Sequence, residues 1–193
     1  MLLIFGNTFI YHVKIFDILN IYQNMVVGFV VFSNRRTIRT LVLILLLFSL
    51  LVDMYEKFCP LFNGRSLHSI NYLIFFSIIS IEVYKVLLYS KIVTRELLSA
   101  ALCGFVLLCL ICTFLFFELE SYERNSFSNI GRDPLSNLNY FSFITLLTIG
   151  YGDITPVTLL AKRAVMFMGL LGHFYTVFIT SIIIGKYLSA KQS

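Results

Sequence analysis

Charge is what this sequence has least of. Asp, Glu, Lys and Arg make up 13% of its 193 residues, and 59% are hydrophobic, whereas a soluble domain carries about 25% charge. That excludes an ordinary soluble domain and points to an integral membrane protein. The net charge of +5 does not make a nucleic-acid binder, because the basic residues are scattered and form no basic face. Cysteine is sparse too. Cys103, Cys109 and Cys112 fall within one apolar run and Cys59 stands alone. No disulfide scaffold follows; the three read as small apolar packing residues, and Cys59 is left open to an intersubunit bridge.

Other patterns are missing as well. No apolar run has Arg or Lys at every third position, which excludes a voltage sensor; Arg35, Arg36 and Arg39 sit at the edge of a run. His12, His68 and His173 are far apart and no nucleophile–base pair is visible, which argues against a membrane enzyme. Phosphate-binding, dinucleotide-binding and zinc patterns do not occur. Neither a cofactor nor a nucleotide-binding domain is therefore expected. The start of the chain lacks the small-residue cleavage site of a signal peptide.

What is present is four apolar runs near membrane length: Ile38 to Met54, Tyr72 to Ser90, Leu97 to Phe117 and Ala164 to Leu188. At about 1.5 Å rise per residue each can cross most or all of a hydrocarbon core of roughly 30 Å. Pro60, Asn63 and Gly64 mark one loop, and Asn125, Asn129, Gly131 and Pro134 another. Arg35, Arg36 and Arg39 gather at the start of the first run, Lys91 and Arg95 lie between the second and third, and Lys186 and Lys191 stand at the end of the last. Basic residues gather on the cytoplasmic side, so both termini are expected there, in a multi-pass protein of the cell membrane. Lys162 and Arg163 are the exception to this pattern. Glu82 and Lys85 are i,i+3 neighbours and are expected to pair.

The domain reading is a two-helix membrane region over 37–92 and a pore domain over 95–193. Residues 1–36 leave two readings open: an interfacial helix, or a true start at Met25.

Between the third and fourth runs lies a segment that cannot cross. Pro134, with Ser136 or Asn137, makes a helix start. A helix of about 11 residues from there to Leu147 spans roughly 16 Å, about half the core. It meets Thr148, Ile149, Gly150, Tyr151 and Gly152. Non-helical backbone at membrane depth is tolerated only inside protein or beside a wet cavity. Gly150 and Gly152 reach positive φ without steric cost, so the backbone can alternate in handedness and turn successive carbonyls to one side. A row of carbonyls is a cation site, and the half-helix points its negative end toward it.

The stretch TIGYGD resembles the TVGYG-type selectivity filter of potassium channels, and Asn139 to Pro156 resembles their pore helix, filter and post-filter turn. The surrounding pattern resembles a family of small bacterial ion channels with two extra helices before a helix, pore loop and helix. The resemblance implies an all-α membrane protein with four transmembrane helices and a re-entrant pore helix and filter loop between the last two. It implies a homotetramer in the lipid bilayer, since a single copy of the filter occurs and the chain has no internal repeat.

It further implies that the backbone oxygens of Thr148, Ile149, Gly150 and Tyr151, with the Thr148 hydroxyl, replace water around permeating potassium. Asp153 then lies at the filter mouth, either exposed to ions or bonded to the pore helix, and Tyr151 packs behind the filter. Gly172 matches a position where relatives bend; the other reading for it and Gly169 is close helix packing. Thr176 and Thr180, on one face with Gly172, are expected to line a cavity. For His173 two readings stand: a polar contact packed between helices, or a place beside that cavity where it tunes current with internal pH.

Two departures stand out. Relatives carry tryptophans in the pore helix where this chain, which has no Trp, has Tyr140 and Phe141; some carry a glutamate where it has Ile144. The alternatives weighed against a potassium channel are a subunit of a potassium uptake transporter and a non-conducting channel partner. An intact filter in single copy argues against the first.

Overall fold

The computed structural model describes residues 36–59, 64–90 and 93–192. Expectations for residues 1–35, Pro60, Asn63 and Lys91 lie outside these. The described elements are helices: α1 (Arg36–Phe58), α2 (Arg65–Tyr89), α3 (Arg95–Tyr122), α4 (Pro134–Leu146) and α5 (Leu159–Gln192). The four long ones cover the four apolar runs. Ser66–Tyr89, Arg95–Tyr122 and Leu159–Ser189 are long and apolar enough to cross a membrane. In α1 the apolar part is the shorter Thr37–Val52, inside a helix of 23 residues. This is the expected all-α membrane protein.

Three of the long helices outrun their apolar runs at both ends, and α2 does so at its start. α2 begins at Arg65 rather than Tyr72, and α5 at Leu159 rather than Ala164. Hydropathy marks where a helix is greasy, whereas backbone hydrogen bonding continues until a cap ends it. The start of α3 shows such a cap: the Leu97 amide donates to Thr94 Oγ1 at 3.3 Å, satisfying one of the unpaired amides of the first turn.

The chain divides into two compact units, 1–75 and 76–193. In the first, α1 buries Ile38, Val42, Ser49 and Val52, spaced to share one helix face. Two polar contacts tie α1 to the first turns of α2: Ser49 Oγ lies 3.3 Å from His68 Nδ1, and Asn71 Nδ2 donates to the Leu45 carbonyl at 3.0 Å. Away from water such contacts, not apolar burial, hold helices together.

The second unit is built around α4. Its core joins Leu108, Cys109, Cys112 and Phe116 of α3, Leu138, Phe141, Ile144 and Leu146 of α4, and Ala161 and Met168 of α5. Cys109 and Cys112 pack there as expected, but Cys103 is exposed, because it lies on the opposite side of α3. Phe116, Phe141 and loop residue Phe127 form a triangle with ring centroids 5.2, 5.6 and 5.6 Å apart. Aromatic pairs at such spacing contribute about 0.5–1.5 kcal/mol each beyond burial. Thr113 Oγ1 donates to Asn139 Oδ1 at 3.1 Å, a polar tie between α3 and α4.

α5 is tied to its neighbours by its own Tyr175 and Lys186. Tyr175 donates its hydroxyl to the Ala101 carbonyl at 2.6 Å, with its ring centroid 5.9 Å from Tyr84 and 5.8 Å from Phe105. Gly104 makes room: a Cβ there would lie 2.5 Å from the Tyr175 hydroxyl. Lys186 Nζ donates to the Leu87 carbonyl at 2.5 Å, bringing a cation to the negative end of α2. Glu82 and Lys85 pair at 2.6 Å, as their spacing predicts.

Candidate functional site

α4 is the short helix that the sequence calls for, but its ends differ from expectation. Pro134 is its first residue, and the cap is Asp133, whose Oδ1 accepts from the Ser136 amide at 3.3 Å. The helix runs 13 residues to Leu146, about 20 Å. That is still short of a hydrocarbon core of roughly 30 Å.

Beyond Leu147 the backbone turns back on the helix end. Thr148 N–H donates to the Thr145 carbonyl at 3.0 Å. Ile149 and Gly150 N–H both donate to Ile144, at 2.8 and 3.2 Å. The amides are thus spent on the last carbonyls of α4. Among the described residues no hydrogen bond ends on the carbonyls of Thr148, Ile149, Gly150 or Tyr151. These oxygens are left to solvate something else.

The handedness alternates as the glycines predict, and further. φ is +56° at Gly150 and +80° at Gly152, and also +60° at Thr148. Thr148 is the surprise, because a β-branched residue in this region is uncommon and strained. Among the described residues, a Cβ on Gly150 or Gly152 would meet nothing within 4 Å. The glycines are therefore required by backbone conformation, not by crowding among those residues. Tyr151 is 71% exposed, so within one chain nothing covers the ring that was expected to pack behind the filter.

Asp153 has a neighbour at each end. The Tyr140 hydroxyl lies beside its carboxylate, and that interaction, followed by burial and the negative charge, raises the Tyr140 phenol above its ordinary range. Its carbonyl accepts from Asn129 Nδ2 at 2.9 Å. Sequence reasoning noticed Tyr140 only as a missing tryptophan, and it missed Asn129. A usable signal existed for the first: Tyr140 lies one turn before Ile144, where some relatives place the partner of this aspartate, and so on the same face of α4.

The outer loop after α3 was also missed. Phe127 forms an antiparallel bridge with Pro156. Ser128 N–H donates to the Thr155 carbonyl at 2.9 Å and Val157 N–H to the Ser126 carbonyl at 2.7 Å. Side chains join in: the Ser128 and Thr155 hydroxyls lie 2.8 Å apart, and the Thr155 amide donates to Ser128 Oγ at 3.1 Å. Glu120 fixes the loop from the end of α3, its carboxylate accepting from the amides of Asn125 at 2.8 Å and Phe127 at 3.1 Å.

On α5 the helix is unbroken through Gly169 and Gly172. Gly172 is buried, and a Cβ there would lie 3.0 Å from Leu146 Cγ. Its packing role thus has a contact. Thr176 Oγ1 donates to the Gly172 and His173 carbonyls at 3.2 and 2.8 Å, and Thr180 Oγ1 to the Thr176 carbonyl at 2.7 Å. His173, Thr176 and Thr180 are all exposed in the single chain.

Comparison with known proteins follows the same part of the chain. Residues 102–189 match the family model described as "Ion channel". Among curated proteins, two-pore potassium channel 5 of Arabidopsis thaliana is 30% identical over 76 residues, covering 39% of this chain and 19% of the relative. The matched region therefore spans about a fifth of that relative's length. No solved structure matches. The reading of residues 102–189 as ion-channel sequence rests on this family match and on the backbone geometry together.

Proposed function

We propose that this chain is one subunit of a potassium-selective channel that conducts passively through a pore shared by four copies. The observation that carries the reading is the backbone of residues 148–152. Three left-handed residues alternate with their neighbours there, beside carbonyls that no donor among the described residues uses. Such oxygens can stand in for the hydration shell of potassium, through the size of the site or the field of its dipoles. The ion-channel match and the relative described as a potassium channel support this reading.

One strand cannot surround an ion, so the pore needs copies arranged about a closed axis. In that assembly Thr148, Ile149, Gly150, Tyr151 and Gly152 form the filter and Asp153 its mouth. Tyr151, exposed in one chain, packs against a neighbour. His173, Thr176 and Thr180 face the water-filled path below, and Gly172 permits a bend when the pore opens. No cofactor is needed beyond the permeating ions, and both termini lie on the cytoplasmic side of the membrane.

The test is flux through purified protein in liposomes under separate potassium and sodium gradients, with mass measurement in detergent. Potassium flux far above sodium, from a tetramer, supports the reading. Equal permeation, or a stable monomer, overturns it. Absence of any flux favours the non-conducting partner instead.

A further inference from the structure

The outer loop does more than connect two helices. It meets the chain leaving the filter through a short ribbon, with Ser126–Ser128 on one side and Thr155–Val157 on the other. One end of this ribbon is anchored in the core, since Phe127 is 3% exposed and lies between Phe116 and Phe141. The other end reaches the filter mouth, where Asn129 Nδ2 holds the Asp153 carbonyl at 2.9 Å. Asp153 follows the last filter glycine directly.

We propose that Asn129 is a positioning residue for the ion path, and that the strap it ends sets how long the filter stays in its conducting form. The inference rests on the channel reading above. Its logic is mechanical. Thr148 holds a left-handed backbone that strains a β-branched residue, and a filter containing it persists only while its ends are fixed. The inner end is fixed by amides bonded to α4. The outer end is fixed at Asp153 by the hydrogen bond from Asn129 of the strap, on the side away from the neighbouring Tyr140 of the pore helix. Release of the Asn129 bond lets Asp153, and then Gly152, turn out of line.

The residue type fits the position. Asn129 has φ +57°, a conformation that asparagine tolerates better than most residues. Its short side chain can then offer an N–H to a carbonyl close by. Asn125 has φ +65° at the other end of the same loop, and Glu120 holds the backbone between them. The strap is therefore braced along its length and not merely touching the filter at one point.

Two substitutions separate the amide from the backbone. Asn129→Gly keeps the left-handed conformation and removes the donor. Asn129→Asp keeps the size and sets an acceptor against the Asp153 carbonyl. The full chain is reconstituted, and the decay of potassium current during sustained opening is recorded at high and low external potassium. Loss of one hydrogen bond should speed decay by about 2- to 10-fold, more in Asn129→Asp, and most at low external potassium, where fewer ions brace the filter. A purely structural role would lower assembly yield without changing decay kinetics. Wild-type current with unchanged decay in both variants overturns this inference alone. A wild-type protein that passes no potassium current overturns the channel reading, and this inference with it.

Discussion

Gly172 of α5 and Leu146 at the end of α4 meet with no space between them. A Cβ on Gly172 would come 3.0 Å from Leu146 Cγ and 3.3 Å from its Cα. The second distance is to backbone, which cannot rotate away. Gly172→Ala should therefore destabilise the protein by about 1–3 kcal/mol. Leu146→Ala alone should cost about 2–5 kcal/mol. Because the two residues touch, the double variant should cost less than the sum. Thermal unfolding in detergent measures all three, and strict additivity would show that the contact is not what matters.

Gly150→Ala tests a different constraint. No described residue would meet the new methyl, but φ is +56°. Left-handed backbone costs an L-residue roughly 1–2 kcal/mol, and each copy would bear it. Selective flux should be lost while membrane insertion and helix content, measured by circular dichroism, stay as they were. Full potassium selectivity in this variant would count against the filter assignment.

Tyr140→Phe keeps the ring and removes the hydroxyl that meets Asp153. The Tyr140 phenol is raised, so the folded state favours its neutral form. The stabilisation is then complete below the ordinary phenol value near 10 and is lost as pH rises through the raised one. Wild type should hold its conducting state evenly from about pH 6 to 9 and lose it in stronger alkali. Tyr140→Phe should lack that alkaline step and decay faster at every pH. An identical alkaline step in the variant would assign the transition to another group.

Phe127 joins the outer loop to the core, and its ring touches both α3 and α4. Phe127→Ala should cost about 3–5 kcal/mol, read as a drop in thermal midpoint. Phe127→Leu should cost under about 1.5 kcal/mol. Equal effects would mean that ring geometry matters more than volume.

These positions differ in how far the sequence announces them. The spans were legible because long apolar runs have few other uses, and Gly150 and Gly152 because only backbone demand explains glycine there. The close approach of Gly172 was legible as one of two readings, and Leu146 is the contact that supports it. Thr148 gave no sign of its left-handed backbone, since its type argues for extended structure. The outer ribbon is only a few residues a side, Ser126 to Ser128 against Thr155 to Val157, too short for an alternating pattern to betray it. Asp153 finds its partners in Tyr140 and Asn129, and such pairings across a loop depend on tertiary placement that no local propensity encodes.

The open surroundings of Gly150 and Gly152 have a genetic consequence. If the tight part of the site is made only when copies meet, a damaged strand does its harm inside otherwise intact assemblies. With the four copies proposed above, co-expressing equal amounts of wild-type and Gly150→Ala chains would leave roughly one in sixteen assemblies without a variant subunit under random mixing. Loss of current would then run far ahead of gene dosage, and the Gly150→Ala allele would behave as a dominant negative.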